Sequence, residues 1–326
     1  MELANGIIEL QKPDGLVQFD VQLGSTGTFV LGTAPSQTSV QTYATGPLYL
    51  GSITLAPTPN FKISIGQLDT LEGYTAGLDW NNSNVFYDEI FAVQNGPSRS
   101  VEATYTFGPI STTVNFGDGF DTGVWNYLQA STTYTINNDN AVTIYGATNV
   151  GRTGLNAHFY GSASLPFSQT AIGSIPGAVN LANSTVLGGF YNDSVGNLNL
   201  VPEIQYVYTR PDQSLVTPGS AAMTKFSGNF GAVLFADYHF GTSPYSLGAW
   251  VAYFSSHGPD TWFLNAGSQG VGISIAPTWQ RQHLFVRGDL GVMHLTRIGT
   301  PGSAGYGESA ACRNQATSLL EAGVLF

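Results

Sequence analysis

The chain of 326 residues carries a single cysteine, Cys312, so no disulfide can form within it. So few thiols suit an oxidising envelope compartment. Cys312 sits in a Gly/Ser-rich stretch with no His or Asp placed to activate it, and is read as incidental. Charge is scarce too: Asp, Glu, Lys and Arg make up 10% of the residues, where about a quarter is usual. Only ten are Lys or Arg, against 21 Asp or Glu, for a net charge of −11. With no basic stripe, nucleic acid is excluded as a partner. No apolar run reaches the roughly 18 residues of a membrane helix. Nor does any stretch of a dozen residues show helical periodicity.

What fills the chain instead is Gly (40 residues), Tyr (16), Phe (19) and small polar residues. Aromatics at 12% are too many for a disordered chain. Apolar residues recur at every second position from end to end. Val101, Ala103, Tyr105 and Phe107 alternate with Glu102, Thr104 and Thr106. Phe230, Ala232, Leu234, Ala236 and Tyr238 oppose Asn229, Asp237 and His239. Leu284, Val286, Leu290 and Val292 oppose Arg287 and Asp289. These segments run to about ten residues, the length of a tilted membrane strand, where a soluble sandwich uses about five or six. Aromatics such as Phe107, Tyr208, Phe226 and Tyr253 stand near the ends of the apolar faces, as in the interfacial girdles of a barrel.

The connections alternate in length. Short turns fall at 56–59, 108–109, 137–139, 193–196, 241–243 and 280–282. Long ones fall near 26–43, 69–98, 150–184, 210–223, 257–269 and 294–315, with a medium one at 118–125. Short periplasmic turns alternating with long extracellular loops are the rule of an outer-membrane barrel. The pattern predicts an all-β chain forming a closed antiparallel transmembrane β-barrel. About 14 strands are expected, with 12 or 16 as alternatives, and both ends on the short-turn side. Residues 1–13 are read as a periplasmic lead-in and 14–326 as the barrel. The final strand, with Leu320, Ala322, Val324 and Phe326 on one face, reads as the closing one: its terminal aromatic would sit at the bilayer interface. Met1-Glu2-Leu3 shows no secretion signal, so a trimmed mature form is the expectation and a cytoplasmic protein its rival.

Several segments resemble one known family. Leu10-Gln11-Lys12-Pro13-Asp14-Gly15 leads into the first expected strand. Ile63-Ser64-Ile65-Gly66-Gln67-Leu68 is followed by Glu72-Gly73-Tyr74. A loop ends in Asn95-Gly96-Pro97-Ser98-Arg99-Ser100, and Val114-Asn115-Phe116-Gly117-Asp118-Gly119-Phe120-Asp121 follows a short turn. In order and spacing these resemble the OmpL-like β-barrel porins of Gram-negative outer membranes. The resemblance implies a barrel in the bacterial outer membrane that passes small hydrophilic solutes. Outer-membrane lipids and the barrel-assembly machinery are the partners it implies, with no catalytic residues and no cofactor. Monomer and homo-oligomer both satisfy the pattern, because an apolar wall serves lipid and a sister subunit alike.

The most acidic loop, 69–98, holds Asp69, Glu72, Asp79, Asp88 and Glu89. Trp80, Phe86, Tyr87 and Phe91 favour folding it inward, where its carboxylates would narrow the pore and attract cations. Lys62, Glu102, Arg287, Asp289 and Glu321 face the lumen by parity and complete the candidate pore-lining set. Mutual neutralisation within the wall is the plainer reading of that set. An inward loop gives a channel with a mild cation preference. The alternative for the loop is a surface position outside the cell; a blocked lumen with partner-binding loops would give a structural or adhesive barrel instead. Asp118 and Asp121 lack the spacing of a calcium loop and read as a turn. His158, His239, His257, His283 and His294 make no metal-spaced cluster, and no Gly-x-Ser-x-Gly elbow occurs. Turnover is therefore not expected.

Overall fold

The computed structural model describes residues 5–33, 48–159, 170–175, 177–300 and 305–325. Fifteen strands form one sheet in chain order, each antiparallel to the next. They are β1 (Gly6–Lys12), β2 (Val17–Ser25), β3 (Leu48–Thr58), β4 (Phe61–Leu68), β5 (Ser98–Phe107), β6 (Ile110–Asp118), β7 (Trp125–Thr135) and β8 (Asn140–Asn149). There follow β9 (Thr185–Val195), β10 (Leu198–Thr209), β11 (Ser227–His239), β12 (Tyr245–His257), β13 (Gln269–Arg281), β14 (Leu284–Arg297) and β15 (Asn314–Val324). Tight turns join the strands at one end, as between Phe107 and Ile110, and the long loops gather at the other. Among the described residues no helix is long and apolar enough to cross a membrane.

The alternation expected from the sequence sets which face each side chain takes. On β14, Arg287, Asp289, Met293 and Leu295 are buried, while Leu290 and Val292 are exposed. On β15, Leu320 is 80% exposed beside a half-buried Glu321. Ile53, Ile65, Ile144, Ile204, Val251 and Ile273 extend this exposed apolar band around the sheet. A band of that extent has no stable place in water and suits a hydrocarbon surround.

The two edges of the sheet meet. Asn5, at the head of β1, places Nδ2 3.1 Å from Oε1 of Glu321 on β15. Gln315 on the same strand donates to the Thr33 carbonyl at 3.2 Å. Strands at opposite ends of a fifteen-strand order touch only if the sheet curls into a barrel. Among the described residues this seam carries side-chain contacts rather than a backbone ladder: β15 pairs with β14 and β1 with β2.

The strand count departs from the expected even number near 14. Residues 6–12, read from the sequence as part of a lead-in, form β1, in register with β2 from Gly6 opposite Ser25 to Lys12 opposite Phe19. Ile8 and Leu10 point outward from it. An odd count makes the first and last strands run the same way. β1 therefore starts at the long-loop end and β15 finishes at the short-turn end, whereas the sequence pattern predicts both at the turns. Leu320 and Val324 lie on the outer face as expected, while Phe326 lies outside the described residues. Within the long 150–184 connection, His158–Phe159 pairs with Thr170–Ala171, and residues 160–169 lie outside the described residues.

Candidate functional site

Loop 69–97, between β4 and β5, folds into the barrel. Its path is fixed by hydrogen bonds to inward-facing side chains around much of the wall. Gln129 on β7 accepts from the Leu71 amide at 3.0 Å and the Thr70 hydroxyl at 3.1 Å. Glu203 on β10 accepts from the Tyr74 amide at 3.2 Å, and Gln205 donates to the Ile90 carbonyl at 3.1 Å. Trp250 Nε1 on β12 donates to the Phe86 carbonyl at 2.9 Å. Asp289 on β14 accepts from the amides of Val85 and Phe86 at 2.7 and 2.9 Å. Each bond satisfies an irregular backbone group that would otherwise be buried without a partner. Val30 and Leu31 lie alongside: Phe29–Val30 forms a two-residue parallel pairing with Phe86–Tyr87.

The wall makes room for the loop. A Cβ on Gly231 would lie 1.9 Å from Ile90 Cγ2, and one on Gly272 would lie 2.1 Å from Glu89 Oε1. Apolar packing completes the docking. Leu31, Phe86, Ile90 and Val93 join Tyr127, Val233, Trp250, Phe254 and Met293 in one buried cluster. Tyr87 stacks on Phe91 with ring centroids 4.3 Å apart.

The ten candidate charges divide into six that are buried, three that are open to water, and Glu321, half-buried in an ion pair with Arg287. Glu72, Asp79, Asp88, Glu89, Arg287 and Asp289 are buried. They tie the loop to itself and to the wall and do not meet open lumen. Glu72 accepts from Tyr127 Oη at 2.9 Å and the Asn95 amide at 3.1 Å. Asp88 caps a tight turn, accepting from the amides of Ile90 and Phe91 and from Thr75. Arg287 stands opposite Glu321 in the β14–β15 register and donates to it at 2.8 Å. The same guanidinium donates to the Asn82 carbonyl of the loop at 2.6 Å. The carboxylate oxygens of Glu89 find no hydrogen-bond partner among the described residues. Burial pushes the Glu72 carboxyl up to about 7. Asp79 rises to about 6 through burial and the nearby Glu321, opposed by Asn5 and Arg287. Glu89 is raised well above its usual range by burial and the adjacent Asp88.

Three charges stay open to water. Lys62 and Asp69 are exposed and Glu102 is half-buried. Asp69 and Glu102 are close enough to repel each other electrostatically. Beside Lys62 and Glu102 the inner wall is a ladder of hydroxyls, Thr104 standing opposite Lys62 and Ser64 opposite Glu102. Thr54 meets Ser64 at 2.7 Å, Thr104 meets Thr113 at 3.0 Å, and Thr133 meets Thr143 at 2.8 Å. These side chains are half-buried or otherwise partly open rather than packed, apart from Thr143, which is buried. The surface is polar, nearly uncharged and suited to water.

Asp118 pairs with Arg99 and accepts from the Gly123 amide at 3.1 Å, holding the turn that contains Asp121. Among the described residues no group of three or more His, Cys, Asp or Glu is gathered as a metal site would require. His239 stands opposite Ser246 in the strand register, but its Nε2 lies 3.2 Å from Asp237. Gln129, Gln205 and Trp250 were absent from the sequence-derived candidates. Trp250 carried the clearest signal: an aromatic at an inward position needs something covering it.

A barrel with an apolar outer band, an inward loop and a hydroxyl-lined interior has the build of a porin. Over residues 1–326 the chain matches the family model "putative beta-barrel porin-2, OmpL-like". The chain belongs to that porin family. It is an outer-membrane porin, of a family typically without enzymatic activity. No curated protein sequence matches it. Among solved structures, a loop L8 deletion mutant of OmpT from Vibrio cholerae superposes with a TM-score of 0.57 at 10% identity, covering 95% of this chain and 85% of that one. The outer membrane channel DcaP of Acinetobacter baumannii gives 0.54 at 8% identity, with 97% and 83% covered. An anion-selective porin from Comamonas acidovorans gives 0.51 at 10% identity, with 87% and 76% covered. At such identities the likeness is one of fold.

The porin's inward loop is held by groups that favour the protonated state. For Glu72 the folded value, about 7, lies above its ordinary value of 4.5. The stabilisation is therefore complete below about 4.5 and is lost as pH rises through about 7, a change of roughly 3 kcal/mol. Protection of loop 69–97 against hydrogen exchange, corrected for the intrinsic base-catalysed rise, should fall between pH 5 and 8 in the wild type. In Glu72→Gln that pH response should flatten.

Proposed function

We propose that the porin passes small hydrophilic solutes by diffusion through a water-filled passage between its inward loop and the β2–β6 wall, with a mild preference for cations. The observation that carries this reading is the division of charges. The buried acids anchor the loop, whereas Asp69, Glu102 and Lys62 remain wet beside a wall of hydroxyls. Two carboxylates against one ammonium leave the open side net negative, which concentrates cations in a confined space. The hydroxyls offer hydrogen bonds to any polar solute without committing to one charge. A porin of similar fold from Comamonas acidovorans is anion-selective, so in this reading the sign of the preference belongs to the side chains and not to the barrel.

A second reading, a barrel with a blocked lumen and partner-binding loops, draws on the apolar cluster that packs the loop-end interior between β7 and β14. Liposome swelling separates the two. Proteoliposomes of the folded porin should swell in arabinose faster than in a trisaccharide. Vesicles that shrink and stay shrunken in both would favour the blocked barrel.

A further inference from the structure

A cavity of about 700 Å³ lies on the outer wall at the loop end of β7–β10. Its floor is built from outward positions of these strands: Leu128 and Ala130 on β7, Gly146 on β8 and Leu187 on β9. Small residues at Ala130 and Gly146 sink the surface between larger neighbours, so the membrane-facing wall has a trough here.

The trough sits at interfacial depth. Tyr208, one of its lining residues, stacks with Tyr206 and Phe226, with centroids 5.8 and 5.7 Å apart. Phe226 stacks in turn on His257 at 5.9 Å. Such a group of outward rings at strand ends marks the boundary between acyl chains and headgroups. Arg210 follows this girdle by two residues, and Arg152 joins it at the upper rim. Arg152 pairs with Asp212 at 3.0 Å yet keeps 57% of its side chain exposed, and Arg210 is exposed. Two of the chain's ten cations thus stand over one apolar trough, against one carboxylate, in a chain of net charge −11. Guanidinium groups bind phosphate oxygens in paired hydrogen bonds.

We propose that this trough holds one anionic, phosphate-bearing lipid of the outer leaflet, its phosphate on Arg152 and Arg210 and an acyl chain over Ala130 and Gly146. The site rests on membrane embedding and not on conduction, so it stands or falls apart from the solute reading.

The test is native mass spectrometry of the full chain taken from bilayers of mixed phosphatidylglycerol and phosphatidylcholine. Wild type should retain phosphatidylglycerol preferentially. The double variant R152Q/R210Q should lose that preference several-fold while keeping its heat-modifiable mobility. Ala130→Leu, which fills the trough and leaves both arginines, should reduce retention of the lipid as well. Equal retention in wild type and both variants would overturn the proposal. Displacement of the lipid by inorganic phosphate alone would assign the arginines to free phosphate instead. An oligomer in wild type that becomes a monomer with Ala130→Leu would show that a second copy of the chain fills the trough.

Discussion

Asp289→Ala should release the inward loop and raise single-channel conductance several-fold. Asp289 is buried on β14 and accepts from two loop amides, Val85 and Phe86. Its other oxygen accepts from Ser274, which in turn accepts from Asn84 at 2.9 Å. Deleting the carboxylate strands two buried N–H groups, at about 1–3 kcal/mol each. The loop regains those bonds only by leaving the wall for water. The barrel itself should persist, because β14 keeps its ladders to β13 and β15. Gly231→Ala is an independent way to the same end, since its new methyl would lie 1.9 Å from Ile90 Cγ2. Both variants should also expose loop 69–97 to proteases. Unchanged conductance in both, with the fold intact, would mean that the loop does not limit the passage.

The second large effect concerns selectivity. Asp69→Asn with Glu102→Gln should lower the cation-to-anion permeability ratio, while Asp88→Asn with Glu89→Gln should leave it nearly unchanged. All four are acids on or near one loop, but Asp69 is exposed and Glu102 half-buried, whereas Asp88 and Glu89 are fully buried. A wet carboxylate at roughly 8 Å from a passing ion contributes about 0.2 kcal/mol after screening, so removing two reduces the ratio about threefold to fourfold. Burial disfavours the charged form of both acids, and the oxygens of Asp88 are taken up by loop donors, so this pair projects little field into the passage. Reversal potentials in a salt gradient measure both. A shift in the second pair equal to that in the first would place Asp88 and Glu89 on the water path and undo the division between anchors and open charges.

Much of the architecture was legible in the chain because a barrel wall repeats one rule. Parity alone put Glu321 inward and Leu320 outward, and put Arg287 and Asp289 on the inner face of one strand. Turn chemistry placed the hairpins at 108–109 and 137–139. The aromatics of loop 69–98 pointed inward, and Phe86 and Tyr87 are buried, but the sequence left an exposed outer loop equally open. The first strand was harder. Ile8 and Leu10 alternate with Glu9 and Gln11, but the run is short and ends at Pro13, so it read as a lead-in. That one strand changed the parity of the count and the end of the barrel at which the first strand starts.

The charges were the other gap. Sequence places Asp69 and Asp88 in the same acidic loop and offers nothing to rank them. What separates them is contact with residues far along the chain. Phe86 lies 203 positions from the Asp289 that fixes its amide. Tyr74 lies 129 positions from Glu203. Periodicity reports the face a residue takes on its own strand and is silent about what crosses the lumen to meet it.

The most direct measurement is the current carried by the folded, heat-modifiable porin in a planar bilayer. Discrete ohmic steps, with a reversal potential on the cation side in a salt gradient, are the result expected of a wet passage beside the docked loop. A membrane that stays silent while the inserted protein remains folded would contradict it.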